Sequence, residues 1–247
     1  MIDVKSAKEI EIMQEGGQIL ASVLQAVARE IKPGIATAEL DQLAEKLVRQ
    51  AGAEPSFLHH ENYPASLCVS VNQEVVHGIP KPDKIIRGGD LVKIDFGVKY
   101  QGMFTDSALT VTVGEISPRQ QKLVETTEQA LAKAIAVLQP GVKVGDISST
   151  IQKYVESRGF SVVRKLVGHG VGRAVHEDPR IPNFGRKGTG PELPEGACIA
   201  IEPMVIDGGP EVVVADDGWT YSSADNGLTA HFEKTIAIVK SGYQVLT

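Results

Sequence analysis

Cysteine is scarce in this sequence, since Cys68 and Cys198 are the only two among 247 residues. This excludes the disulfide framework of small secreted domains, and we expect a reducing, cytoplasmic location. Long apolar runs are lacking too, because no segment approaches the roughly 18 residues of a membrane span. The first ten residues, MIDVKSAKEI, carry charges throughout and have no apolar centre, so they do not form a signal peptide.

A surplus of positive charge is also lacking. Lys and Arg number 25 against 31 Asp and Glu, and the net charge of −6 argues against a surface built to bind nucleic acid. The overall composition is that of an ordinary globular protein, with 42% hydrophobic and 23% charged residues. This composition excludes a disordered chain, and the length permits a substantial hydrophobic core.

Helical and strand-like patterns share the chain. Apolar residues at helical spacing, ended by Pro-Gly pairs or single glycines, predict four helices over about 10–31, 37–52, 118–138 and 144–157. Short apolar runs predict strands over 66–71, 90–98, 108–113, 197–201, 211–214 and 235–239. We therefore expect helices and strands throughout rather than an all-α or all-β fold.

The two halves of the chain share a spacing. Pro33-Gly34 recurs as Pro140-Gly141 after 107 residues, and the same gap-free offset aligns the ends of two predicted helices. It also aligns Asp95 with Glu202. One match means little, because Gly and Pro punctuate loops everywhere. Together the matches indicate an α/β unit used twice, with an acid at the equivalent strand position, and chance in a glycine-rich chain is the alternative.

Two aspartates flank a predicted hairpin turn. Asp95 lies inside an apolar run, Asp106 opens the next run, and residues 100–102 between them have a turn composition. A hairpin symmetric about residues 100 and 101 would set the two aspartates opposite one another, with Cβ atoms about 5 Å apart. Such a pair would share a proton or hold a cation. The alternative is that both aspartates face solvent on a hairpin at the edge of a sheet and have only a structural role.

Two further acids and one histidine occupy apolar or glycine-rich surroundings, namely Glu202, Glu233 and His169. Unpaired charges in such surroundings are costly, so their presence favours a common site with the two aspartates. The candidate metal ligands are therefore Asp95, Asp106, His169, Glu202 and Glu233. Hard carboxylates with one imidazole suit Mn²⁺, Fe²⁺, Co²⁺ or Zn²⁺. Two ions per chain, about 3.5–4 Å apart, would support hydrolysis.

With these residues the chain resembles the type I methionine aminopeptidases, whose fold is called the pita-bread fold. The similar segments are Lys5–Gly17, Cys68–Pro80, Asp95 with Asp106, Gly168–Glu177, Glu202-Pro203, Trp219 and Glu233. The resemblance implies an α+β fold in which two α/β halves, related by a pseudo-twofold repeat, surround a curved antiparallel sheet. It further implies that residues 1–247 form a single catalytic domain.

The resemblance also implies a role for each ligand. Asp95 would bind one metal ion, His169 with Glu202 would bind the other, and Asp106 with Glu233 would bridge both. His231 stands where the family commonly has Gln. A position next to the metals and a polar contact on the surface are both open for it.

Catalytic roles follow from the same resemblance. His77 would contact the substrate near the scissile amide, and His176 would hydrogen-bond the scissile carbonyl oxygen. Glu202 would act as the general base that takes a proton from the attacking water. Structural packing is the alternative for the two histidines.

The predicted substrate pocket matches the family only in part. Positions that line the methionine pocket are matched by Tyr63, Cys68 and Trp219. Three other positions depart from the family. This chain has Phe57, His60 and Val175 where bacterial members often have Cys, Tyr and Phe, respectively. They would reshape the pocket, which puts strict selectivity for methionine in question.

The function implied is removal of the initiator methionine from nascent proteins, with a preference for a small second residue. Nascent polypeptide N-termini would be the partners, and ribosome association is left open. We expect a monomer that binds neither membranes nor nucleic acid.

Two alternatives stay open. A proline-directed pita-bread aminopeptidase is also similar at Gly97 and Phe104-Thr105, although such enzymes normally carry a further N-terminal domain that the residues before Asp95 cannot form. A non-catalytic pita-bread binding protein is the second alternative. Such proteins typically lose metal ligands, and this sequence retains all five.

Overall fold

The computed structural model describes residues 2–247, which contain four α-helices and fifteen β-strands joined by loops. The helices are α1 (Ala7–Glu30), α2 (Thr37–Gln50), α3 (Pro118–Ala136) and α4 (Val144–Glu156). The first eight strands are β1 (Glu54–Pro55), β2 (Leu67–Val71), β3 (Glu74–Val76), β4 (Leu91–Tyr100), β5 (Met103–Thr112), β6 (Ser161–Val162), β7 (Val167–Gly170) and β8 (Glu177–Pro182). The remaining strands are β9 (Cys198–Ile201), β10 (Met204–Ile206), β11 (Val212–Val214), β12 (Tyr221–Ser223), β13 (Thr229–His231), β14 (Glu233–Val239) and β15 (Gly242–Val245).

The helices begin where side chains satisfy the first backbone N–H groups. Helix α1 begins at Ala7 rather than at the predicted Ile10, because Ser6 and Glu9 form a capping box. Ser117 caps α3 in the same way. All four predicted helices are present with small shifts at their ends. Within residues 2–247, no helix combines the length and the apolar character needed to cross a membrane.

The large sheet has nine strands in the order β1-β4-β5-β14-β9-β7-β8, with β2 also paired to β4 and β15 to β14. Two three-stranded sheets, β13-β10-β6 and β11-β12-β3, accompany it. Every pairing is antiparallel. The six predicted strands are β2, β4, β5, β9, β11 and β14. The others were missed because most are runs of two to four residues, too short to show a period.

The hairpin of β4 and β5 differs in register from the prediction. Gln101-Gly102 forms a two-residue turn with φ angles of 47° and 84°, as a type I′ turn requires. Asp95 is therefore paired with Ala108, and Asp106 with Gly97. The predicted direct opposition of the two aspartates is wrong, and β5 begins upstream of Asp106 rather than after it.

Backbone hydrogen bonds repeat at the predicted offset. The Gly34 N–H donates to the Ile86 carbonyl, and the Gly141 N–H donates to the Leu193 carbonyl, so donors and acceptors are both 107 residues apart. Helices α2 and α4 begin at the same offset. The two halves are thus built alike, as the sequence spacing predicts.

Helices cover one face of the large sheet. The even-numbered residues of 92–98 on β4 pack with α1 and α2 in one core. Ile236 and Ile238 of β14 pack with α3 and α4 in another. Because side chains alternate along a strand, Asp95 and Glu233 lie on the opposite face, where the first turns of α1 pack further along β14, against Ala237.

Candidate metal centre

Carboxylates from three neighbouring strands meet on the face of the large sheet opposite the two helix-packed cores. Asp95 on β4 and Glu233 on β14 are both paired in register with Ala108 of the intervening β5. Asp106 precedes Ala108 by two residues, so its side chain emerges on the same face. Strand register thus gathers three of the predicted acids.

Glu202 and His169 lie beside these three acids. Glu202 directly follows β9, and His169 on β7 is paired with Ala200 of β9. The Nε2 atom of His169 lies 3.7 Å from Oε1 of Glu202 and 4.0 Å from Oε1 of Glu233. The structure therefore brings all five predicted ligands together.

Several carboxylate oxygens of this cluster are buried without a hydrogen-bond partner. They are Oδ1 of Asp95, Oδ1 of Asp106 and Oε1 of Glu233. An unsatisfied buried polar atom costs about 1–3 kcal/mol, and more when it is charged, so three in one place call for a ligand. Bound cations would satisfy all three.

Burial controls the charges of the cluster. It raises the pKa of Asp95 to about 7. Burial and mutual repulsion raise the pKa of the other carboxyls well above the usual range, namely Asp106, Glu202 and Glu233. Burial also lowers the pKa of His169 to about 3, so the ring is neutral, with Nδ1 2.9 Å from the Gly170 carbonyl oxygen. A neutral imidazole anchored through Nδ1 leaves Nε2 free as a metal donor.

The donor set fits divalent metal ions. Ligand atoms of Asp106, His169 and Glu233 all lie within 4.8 Å of one another. Carboxylate oxygens and imidazole nitrogen are suitable donors for Mn²⁺, Fe²⁺, Co²⁺ or Zn²⁺. Positive charge at this place would also relieve the repulsion that raises the pKa values of the carboxyls.

Two further histidines border the cluster. The ring centre of His176 lies 4.5 Å from that of His169 and 5.5 Å from that of His60. His77 has a φ of 57°, an uncommon backbone conformation that persists mainly at functional sites. Burial lowers the pKa of His77 to about 4 and also lowers the pKa of His176. The lowered pKa values favour the neutral imidazole, which offers one N–H donor.

A cavity of about 90 Å³ opens beside the cluster. Its lining includes the predicted pocket residues Tyr63, Cys68 and Trp219. The rings of Tyr63 and Trp219 meet edge to face with centres 5.2 Å apart. Phe57 and His60 also line the cavity, whereas Val175 is buried outside this lining. The same cavity is lined by the carboxylates and His169 of the cluster, so the aromatic wall and the cluster share one space.

A second, more open cavity of about 460 Å³ meets the first one at the cluster. The lining residues that the two cavities share include His77, His176 and Glu202. The second cavity continues past Met204 and Arg180. A peptide whose first side chain fills the small cavity can therefore extend its next residues through the larger one.

Three further side chains lie near the cluster, and of these the sequence singled out only His231. His231 is buried with Nε2 3.7 Å from Oε2 of Glu202, so the surface contact considered for it is wrong. Lys93 is fully buried on β4, and its position inside an apolar run was an available signal. The Tyr221 ring lies 5.8 Å from that of His77, which depends on the long-range pairing of β12 with β3.

The sequence model that describes metallopeptidase family M24 matches residues 11–240 of this chain. The chain therefore belongs to the metallopeptidase family M24, and it is a metal-dependent hydrolase. The methionine aminopeptidase of Clostridium perfringens is 47% identical over 247 residues, which cover 100% of this chain and 99% of that protein.

Solved structures agree with this assignment. The methionine aminopeptidase of Thermotoga maritima superposes with a TM-score of 0.99 at 45% identity, covering 100% of this chain and 99% of that one. The prolidase of Pyrococcus furiosus gives a TM-score of 0.81 at 26% identity and covers 99% of this chain but 65% of that one. The resemblance to the methionine aminopeptidases and the pita-bread fold are both confirmed.

Proposed function

We propose that this enzyme removes the N-terminal methionine from nascent proteins and peptides by two-metal-assisted hydrolysis of the first peptide bond. The observation that carries the proposal is a small, partly aromatic cavity that is also lined by the carboxylate–histidine cluster. A residue seated in that cavity has its own peptide bond beside the cluster. The 47% identical methionine aminopeptidase supports the same function.

Within this proposal the cluster holds two divalent ions. Asp95 would hold one ion, His169 and Glu202 would hold the other, and Asp106 and Glu233 would be ligands of both. The unpaired oxygens of Asp95, Asp106 and Glu233 support the binding of cations at this cluster. Co²⁺, Mn²⁺, Fe²⁺ and Zn²⁺ all match the donor set.

When bound, such ions polarise a carbonyl and lower the pKa of water. Glu202 takes the proton of the attacking water and delivers it to the departing nitrogen. The neutral His176 donates its N–H to the scissile carbonyl oxygen, where negative charge develops in the tetrahedral intermediate. His77 contacts the scissile amide and holds the nitrogen that departs.

The pocket favours methionine because it is narrow and partly aromatic. An unbranched thioether can thread a slender cavity and gains from sulfur contacts with the edges of Tyr63 and Trp219. The preference for a small second residue is carried over from the family. The proposed substrates are nascent polypeptide N-termini in the cytoplasm, processed by a monomer with or without ribosome contact.

Hydrolysis of Met-Ala-Ser and Ala-Pro-Ser by the same preparation tests the proposal. We expect cleavage of Met-Ala-Ser to be preferred by at least about 100-fold, with activity lost to EDTA and restored by Mn²⁺ or Co²⁺. Faster cleavage of Ala-Pro-Ser would establish the proline-directed alternative. If neither peptide is cleaved with metal present, the result would favour the alternative of a non-catalytic binding protein.

The role of Glu202 has its own test. Glu202→Gln should fold normally and lose about 10²–10⁴-fold in kcat, the usual contribution of a general base. A near-normal kcat would refute the assignment.

A further inference from the structure

Lys93 is a buried lysine that the proposed reaction does not use. It is 1% exposed and is one of the largest fully buried side chains. Its Nζ donates to the carbonyl oxygen of Asn72 at 2.7 Å and to that of Leu91 at 3.3 Å. A buried ammonium is costly unless its environment is built for it, so this arrangement calls for an explanation.

The Asn72 carbonyl is a meeting point for three segments. It accepts from Lys93 on β4 and from the N–H of Thr229 on β13 at 3.1 Å. The Thr229 hydroxyl lies 2.8 Å from the same oxygen and 2.7 Å from the Glu74 carbonyl oxygen. One ammonium and one threonine thus tie the turn between β2 and β3 to both β4 and β13.

The turn itself has a fixed and uncommon shape. Asn72 has a φ of 55°, and its side chain bonds to Asp90 at 2.8 Å and to the Leu91 N–H at 3.0 Å. A non-glycine residue in the left-handed region persists only when its surroundings hold it there. The hydrogen bond from Lys93 to the Asn72 carbonyl helps to keep the turn in this conformation.

Each tied segment leads directly to a site residue. Strand β3 follows the turn and ends at Val76, directly before His77. Lys93 lies two residues before Asp95 on the same face of β4. Strand β13 runs from Thr229 toward Glu233.

We propose that Lys93 is a positioning residue: its ammonium, bound to the Asn72 carbonyl, fixes the turn and β13 relative to β4 and so sets His77 against the metal centre. The proposal rests on the proposed function for its kinetic consequence. The mechanical part, the fixing of turn and strand, stands without it.

The first test replaces the ammonium by an apolar chain of similar length. Lys93→Met should lower kcat for Met-Ala-Ser at least tenfold with KM changed less than threefold, because His77 acts on the reacting amide. Hydrogen exchange should quicken at 72–78 and 229–231 while α3 and α4 keep their protection. Leu131→Ala, at a buried α3 residue that lines neither cavity, is the control and should lose stability but keep kcat.

The second test restores the missing group. Lys93→Ala should regain at least fivefold of its lost kcat with propylammonium, which supplies the absent N–H donors, but not with tetramethylammonium, which has the charge alone. A Lys93→Met variant with kcat within twofold of the parent would overturn the kinetic role. Unchanged exchange at 72–78 and 229–231 would overturn the whole proposal, even if the parent cleaved no methionyl peptide and the proposed function had failed.

Discussion

Asp95 and Glu233 are both paired in register with Ala108, one on each side of β5. Neighbouring strands lie about 4.8 Å apart, so the backbones that carry the two carboxylates are separated by roughly 10 Å. Ala108, 2% exposed, is the only side chain directly between them in that row. Its small size leaves the space in which the carboxylates can share ligands.

Filling that space should weaken metal binding. Ala108→Val adds two methyl groups between the carboxylates, and we expect the affinity for Mn²⁺, measured by calorimetry, to fall about 10–100-fold. Overpacking should also cost about 1–3 kcal/mol of stability. The control Ala237→Val adds the same bulk further along β14 and should leave the affinity unchanged. Parent-like Mn²⁺ affinity in Ala108→Val would show that the space is not the metal site.

The metal-free protein should lose stability as the pH rises. Burial raises the pKa of Asp95 from its ordinary 3.8 to about 7, so the folded state binds this proton more tightly than the unfolded state does. The stabilisation is complete below pH 3.8 and disappears as the pH climbs through about 7.

Asp95→Asn isolates this effect because the amide stays neutral. In EDTA, the variant should melt several degrees above the parent at alkaline pH. The expected gain in unfolding free energy is a few kcal/mol, and each kcal/mol raises the Tm by about 2–4 °C. The difference in Tm should shrink toward acid pH. A difference that is the same at both ends of the range would contradict the burial of an ionised Asp95.

The buried ion pair of Lys5 and Glu177 should hold the segment before His176. Lys5 is 3% exposed, and its ammonium contacts Oε2 of Glu177. The other oxygen accepts from the N–H groups of Arg173 at 2.6 Å and Ala174 at 2.9 Å. The pair thus joins the N-terminal segment to the loop that presents His176.

Lys5→Met leaves the Glu177 carboxylate buried without its partner, which should cost about 3–5 kcal/mol in denaturant unfolding. Adding Glu177→Gln removes the unpaired charge and should recover part of that loss. If the single variant is as stable as the parent, the pair does not hold this loop.

Pocket selectivity should depend on Phe57. Its ring lies against Gly97, where an added Cβ would approach Cε1 to 2.7 Å, so the wall is closely packed. Phe57→Ala should widen the cavity and raise kcat/KM for Phe-Ala-Ser relative to Met-Ala-Ser by about 10–200-fold. The ratio of the two substrates serves as an internal control for loss of active enzyme. An unchanged ratio would remove Phe57 from the pocket wall.

Much of this structure could be predicted from local patterns. The helices were found because apolar spacing and Pro-Gly stops are contained within each segment. Asp95 and Glu202 stood out because charged residues are costly inside apolar strands. The repeat at 107 residues, visible in two Pro-Gly pairs, returns in matching backbone hydrogen bonds.

What could not be predicted depends on register and long-range pairing. One residue in the turn decided whether Asp95 faced Asp106 or Ala108, and the sequence permitted both. The short strands that carry Tyr221 and His231 pair with distant partners and show no period of their own. Lys93 gave a signal, but its partner Asn72 follows from the fold alone.

The most direct test of the central claim, that these carboxylates and His169 form a dinuclear centre, is anomalous diffraction from crystals loaded with Mn²⁺. Two anomalous peaks are expected, one beside Asp95 and one beside His169 and Glu202, with Asp106 and Glu233 next to both. A single peak, or peaks away from these five side chains, would contradict it.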